Sequence, residues 1–140
     1  MSVTDPLHAS AHVLAANEAF YAAFSRGDLT AMSKLWATEA MVTCAHPGMQ
    51  ILQGRDAVMK SWSALLRVPP SMALNCFSPR VQVLGSSAIV ICYECAGEGP
   101  AHLAATNVYV REGGEWKMMH HHAGPMQRPV LLEPQQSSLN

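Results

Sequence analysis

The chain has 140 residues, of which 49% are hydrophobic and only 14% charged, with a net charge of −1. This length suits one domain with a sizeable core, and the near-neutral balance, without a basic stripe, argues against nucleic acid or anionic membrane as partners. A charged share below the ~25% typical of soluble domains predicts that part of the surface is covered, most simply by a second copy of the chain.

The first predicted element is an amphipathic helix over residues 7–25, with Leu7, Val13, Leu14, Phe20, Tyr21 and Phe24 at helical spacing. Gly27 stops it, and Asp28 is placed to cap a shorter helix through Met32, Leu35 and Trp36. A short strand follows over residues 40–45, then a His46-Pro47-Gly48 turn. Gly54 leads into a third helix over residues 55–67, with Val58, Trp62, Leu65 and Leu66 on one side, ended by Pro69-Pro70.

From residue 71 the pattern becomes strands. Residues 71–84 alternate, with an interruption at Pro79, and turn at Gly85. Residues 88–96 read as a central strand buried on both faces. Residues 101–111 and 115–123 form a final pair around Gly113-Gly114, and the segment from Pro125 is expected as a strand-covering arm or a frayed end. Helices first and a meander of strands after predict one α+β domain over residues 1–140, with its core at 9–124.

No apolar run reaches the ~18 residues of a membrane-spanning helix, and the N-terminus lacks the regions of a signal peptide. The expectation is a cytoplasmic protein. Cys44, Cys76, Cys92 and Cys95 are then expected as thiols. Cys92-Tyr93-Glu94-Cys95 has a redox or zinc spacing, but within a strand residues three apart face opposite ways, which favours small buried thiols.

Four strings resemble the nuclear transport factor 2-like superfamily, and within it the SnoaL-like domains and the association domain of calcium/calmodulin-dependent kinase II. These are Phe24-Ser-Arg-Gly-Asp28-Leu, Leu52-Gln-Gly54-Arg-Asp-Ala, Ser78-Pro-Arg-Val-Gln-Val-Leu-Gly85, and the final hairpin Thr106-Asn-Val-Tyr109 through Trp116 to His120-His-His122. The resemblance implies a cone: a curved antiparallel sheet wrapped around three N-terminal helices, a cystatin-like half-barrel. It also implies a mainly apolar pocket at the mouth and a homodimer through the back of the sheet. Superfamily members include isomerases, cyclases, dehydratases and assembly hubs, so the fold alone does not choose a function.

Strand parity decides which residues reach the pocket. A two-residue Gly113-Gly114 loop pairs Asn107 with His120, whereas a three-residue loop pairs Asn107 with Met119. The pocket positions implied by the resemblance select the second. Asn107, Tyr109, Met119, His121 and Ala123 then face inward, and Val108, Val110, Trp116, Met118, His120 and His122 form an outer seam. Where the kinase-hub relatives carry arginines, this chain has Cys95, Asn107 and Ala123, which disfavours an anionic ligand. The expected ligand-binding set is Trp36, His46, Trp62, Tyr93, Asn107, Tyr109, Met119 and His121. His121 and His46 are the candidate catalytic bases. Glu94 is expected to face away from Tyr93 and the pocket. His120 and His122 share a face but lack a third ligand, so no metal or cofactor is expected. Three functions remain open: a binder of a small apolar molecule, a proton-transfer enzyme of the isomerase, cyclase or dehydratase type, and an oligomeric association module.

Overall fold

Arg26, Gly27 and Asp28 set the first corner of the fold. The computed structural model describes residues 6–67, 73–98 and 100–131, with the side chains of Pro6 and Leu7 left aside. The expected stop at Pro69-Pro70 and the tail beyond Leu131 lie outside the described residues. Helix α1 spans Pro6–Arg26. It ends where Gly27 adopts φ +66°, with Asp28 N–H bonded to Ala23 C=O and Gly27 N–H to Phe24 C=O, a left-handed glycine cap that satisfies the last carbonyls. Asp28 then caps α2 (Leu29–Leu35), its Oδ1 accepting from Ala31 N–H at 3.0 Å. Arg55 closes the other end of α2. Its guanidinium donates to the carbonyls of Ser33, Trp36 and Ala37 and ties them to the start of α3 (Arg55–Arg67).

Six strands make one sheet: β1 (Thr43–Ala45), β2 (Leu52–Gln53), β3 (Leu74–Leu84), β4 (Ser87–Ala96), β5 (Ala101–Glu112) and β6 (Glu115–Val130), in the order β2-β1-β6-β5-β4-β3. All neighbours are antiparallel except β1 and β6, which run parallel. β2 is shorter than any strand signal in the sequence. β6 runs straight through Pro125 to Val130, which pairs with Ala101, so the first part of the expected arm is strand. Pro79 interrupts β3 as expected: the register shifts between Phe77 and Arg80, and Ser78 takes φ +54°.

Helix α1 packs across β3, β4 and β6 and buries Val13, Asn17, Phe20 and Tyr21. These positions recur at three- and four-residue steps along one helical face. Trp36, Met32, Val58 and Trp62 close the wide end of the core, all at 0–1% exposure. Leu65, expected on the same buried side, is 40% exposed.

The last hairpin departs from both registers considered above. Gly113 and Gly114 both have positive φ, and Glu112 pairs with Glu115, the two-residue primed turn that matches strand twist. The extra residue sits further along, at Met119: Tyr109 pairs with Met118, Val108 with His120, and Asn107 with His121. That bulge restores the expected inward facing of His121. The two-residue turn reverses the facing of the residues before the bulge, so Trp116 and Met118 are buried inside rather than on the outer seam, and Met119 is only half-buried.

At the turn, the Glu112 carboxylate accepts from the backbone N–H groups of Thr38, Glu39 and Ala40 at 2.9, 3.0 and 2.8 Å. Partial desolvation works against the charged form there, but these donors outweigh it and hold the carboxyl below its ordinary range. The stabilisation is therefore present above the unfolded carboxylate pKa and lost as pH falls through the folded one. Glu112→Ala should destabilise the domain by about 1 kcal/mol at pH 7, the scale of a lost N-cap. Its unfolding curve in urea should approach that of the wild type in acid.

Candidate functional site

Asn107 lies at the centre of β5 with 0% exposure, opposite His121 at 1%. A buried amide must find partners for its donors and acceptor, and Asn107 finds all three. Its Nδ2 donates to Asn17 Oδ1 at 2.9 Å and to Tyr21 Oη at 3.2 Å, and its Oδ1 lies 2.6 Å from His121 Nδ1. Tyr109 Oη also donates to Asn17 Oδ1, at 2.8 Å. Tyr21 Oη in turn donates to Glu94 Oε2 at 2.5 Å.

This network fixes the chemistry of His121. An amide oxygen only accepts, so His121 must carry its hydrogen on Nδ1. Burial drives its pKa down from 6.5 to about 3, with smaller contributions from His46, His120 and His122. At neutral pH the ring is uncharged, and Nε2 bears a lone pair. His46, 4% exposed, takes the other tautomer. Ser61 Oγ donates to Val58 C=O at 2.6 Å, so it accepts at 2.9 Å from His46 Nε2–H. Burial lowers the His46 pKa as well.

The two imidazoles share one aromatic cluster. Ring centroids lie 6.3 Å apart for His46 and His121, 4.7 Å for His46 and Trp62, 6.0 Å for Trp62 and His121, and 6.4 Å for Trp36 and Trp62. Phe20 packs against His121 at 4.9 Å, its ring tilted by 49°. Within this cluster the indole N–H groups of Trp36 and Trp62 are buried without a hydrogen-bond partner. Each such orphan costs about 1–3 kcal/mol.

The structure thus brings together Trp36, His46, Trp62, Asn107, Tyr109 and His121. Two expected members fall elsewhere. Tyr93 lies on the outer face, because β4 parity runs Val90, Cys92, Glu94 inward, and Met119 sits at the bulge, half-buried and packed against the core. The expectation for Glu94 is reversed: it is 2% exposed and points into the network. Burial raises its pKa, opposed by the hydrogen bond from Tyr21. Asn17, Tyr21 and Glu94 were all missed as site residues. The pairing of Val90 with Asn107, which places 90, 92 and 94 on the face of Asn107, is visible only in the structure. Asp28 is the helix cap expected of it, and Asp56 is exposed. His120 and His122 face outward, 5.9 Å apart, with His120 Nδ1 at 2.6 Å from Thr43 Oγ1. Among the described residues no three His, Cys, Asp or Glu gather as a metal site, and no helix is long and apolar enough to cross a membrane.

The back of the sheet carries a hollow of about 620 Å³, lined by Arg80, Ile91, Tyr93, Thr106, His122 and Pro125 among others.

The sequence pattern of the SnoaL-like domain matches residues 13–127. The chain belongs to the SnoaL-like domain family. A solved structure from Streptomyces avermitilis, described as a candidate dehydratase of the NTF2-like family, is 31% identical with a TM-score of 0.76, over 89% of this chain and 100% of that one. One from Thiobacillus denitrificans, described as a candidate association domain of calcium/calmodulin-dependent protein kinase type II, is 35% identical with a TM-score of 0.71, over 81% and 94%. The F-box protein SKIP8 of Arabidopsis thaliana is 25% identical over 124 residues; the match covers 89% of this chain and 52% of SKIP8, so this chain spans about half the length of that curated relative. These likenesses support the α+β cone of a SnoaL-like domain, and they differ among themselves in the activity described.

The pH dependence of this SnoaL-like domain follows from its buried groups. His121 is depressed from 6.5 to about 3, so the unfolded chain binds more protons between those values. Stability from keeping the ring neutral is complete above about 6.5 and drains as pH falls toward 3; His46 acts in the same direction. Glu94 has the opposite sign: its contribution is present below the ordinary carboxylate pKa and lost as pH rises through the raised folded value. Removing the imidazole in His121→Gln should flatten the fall in unfolding free energy between pH 7 and pH 4, measured by urea titration at each pH. An unchanged slope would show that His121 is not buried neutral.

Proposed function

We propose that this SnoaL-like domain binds a small, largely apolar, uncharged molecule in the wide end of the cone, between Trp36, His46, Trp62 and His121. The observation that carries this reading is the pair of orphaned indole N–H groups in a core whose other named polar groups are partnered. Two buried donors beside an imidazole lone pair match a ligand with an oxygen acceptor and, next to it, a hydroxyl or acidic C–H. The remaining walls are apolar, as small-molecule pockets usually are. Asn107 and Tyr109 support the site through Asn17, and Tyr93, on the outer face, has no part in it.

Ligand binding should raise the melting temperature and change tryptophan emission. A panel of uncharged hydroxyketones, cyclic ketones and phenols tests this, with Trp62→Phe expected to weaken any hit. No saturable response from any compound at millimolar concentration would remove the reading.

A second reading, proton-transfer catalysis, is favoured by one specific feature: the tautomer of His121 is set, leaving Nε2 as a neutral base. Such a base takes a proton α to a carbonyl while nearby N–H donors stabilise the developing oxyanion. The candidate dehydratase among the relatives is compatible with that chemistry. Deuterium exchange into a bound ketone should be lost in His121→Ala; equal exchange in that variant would eliminate a His121 mechanism.

For assembly, the reading is a homodimer through the back of the sheet. Ile91 supports it, being 49% exposed in the middle of an interior strand, as does the hollow beside it. Light scattering at micromolar concentration should give twice the chain mass; a monomer overturns the dimer, and a large ring would promote the association-module reading. A cytoplasmic setting is supported by cysteines that form no disulfide.

A further inference from the structure

The buried polar network runs in one direction. His121 Nδ1–H donates to Asn107 Oδ1 at 2.6 Å, Asn107 Nδ2–H donates to Tyr21 Oη at 3.2 Å, and Tyr21 Oη–H donates to Glu94 Oε2 at 2.5 Å. Four side chains from β6, β5, α1 and β4 therefore form a single file of donors that ends on a carboxylate. We propose that Glu94 is a positioning residue for His121, acting at a distance through Tyr21 and Asn107 to select which imidazole nitrogen carries the hydrogen.

When ionised, the Glu94 carboxylate accepts and never donates, so in that form it compels Tyr21 to point its hydrogen at Glu94 and to offer its lone pairs to Asn107. That lone pair holds the Asn107 amide with nitrogen toward Tyr21 and oxygen toward His121. The amide oxygen then requires Nδ1–H on the imidazole. Successive bonds of this kind polarise one another in a low-dielectric interior. An amide link carries orientation and polarisation, not a proton, so no proton passes from His121 to Glu94.

Tyr21 has a second outlet, which makes the terminal acceptor matter. Its Oη lies 3.4 Å from Cys92 Sγ. Without the charge on Glu94 the phenol hydrogen can turn to that thiol, and the file loses its fixed end. A second restraint comes from Asn17, whose Oδ1 takes the other Asn107 N–H together with Tyr109 Oη. Asn17 itself is oriented by donating Nδ2 to Cys76 Sγ at 3.6 Å. Glu94 therefore biases an amide that Asn17 also holds.

Among the described residues, other titratable groups face the two ends. Glu94 meets Tyr21 from α1, Cys76 from β3 and Cys92 from its own strand. His121 meets His46 from the turn after β1, and His120 and His122 from β6. No cationic side chain is among these neighbours to mask a change in the Glu94 charge.

This inference deepens the proposed function by making the lone pair of the binding site depend on a group outside it. The test uses the ligand-free protein, so it separates from any failure to find a ligand. Nitrogen-15 spectra of the histidine rings report the tautomer of His121, and carbon-13 spectra of the glutamate carboxyls report the titration of Glu94. In the wild type, His121 should show the Nδ1–H pattern at neutral pH, with an inflection in its ring shifts where Glu94 protonates, apart from those of His46, His120 and His122. Glu94→Gln and Tyr21→Phe should each abolish that inflection and let Nε2–H signal appear, while Cys92→Ala should keep both features. The proposal is overturned if the wild-type His121 shifts show no step at the Glu94 titration. It is equally overturned if either variant leaves the His121 spectrum as in the wild type. Should both variants fail to fold, the wild-type titration alone decides it.

Discussion

The fold is organised around the side-chain amide of Asn107. Fully buried, it binds α1 through Asn17 and Tyr21 and β6 through His121. A helix lying on a sheet by apolar contact alone can slide or rotate at little cost. Three directional bonds at one point remove that freedom, because any displacement of α1 leaves buried donors without partners. The polar chain thus specifies where an otherwise generic aromatic core must sit. Its ring packing then follows: Phe20, one helical turn along from Asn17, is delivered onto His121, and Trp62 onto His46.

The apolar end of the core is less completely resolved in energetic terms. Trp36 and Trp62 supply large buried surface, yet each retains an indole donor with nothing to bond. A core selected only for stability would place phenylalanine or leucine at these positions and avoid the penalty. The fully satisfied polar chain and the two unsatisfied indoles thus lie side by side in one core.

Much of this architecture was legible in the sequence. Gly27 and Asp28 announced the first corner, Arg55 after Gly54 the third helix, and Pro79 the break in β3, each through a local backbone rule. The inward facing of Asn107 and His121 was also anticipated, although from a register that paired Asn107 with Met119 rather than with His121. The Met119 bulge was not legible, because an extra residue in a strand leaves no compositional mark when its neighbours are methionine and histidine. β4 misled for a related reason. Its run from Ala88 to Tyr93 is apolar on both faces, so alternation could not tell which of Tyr93 and Glu94 faces inward, and the buried carboxylate went unrecognised.

The triple imidazole of β6 gives that bulge an unexpected tolerance. Slipping a strand by one residue normally exchanges its inward side chain for a neighbour of different chemistry. Here the neighbours on either side of His121 are again histidines. Loss of the bulge with the turn unchanged would set His120 opposite Asn107, preserving the functional group while exchanging its address in the chain. The repetition acts as chemical redundancy against errors of alignment, at the one place in the sheet where the geometry is least regular.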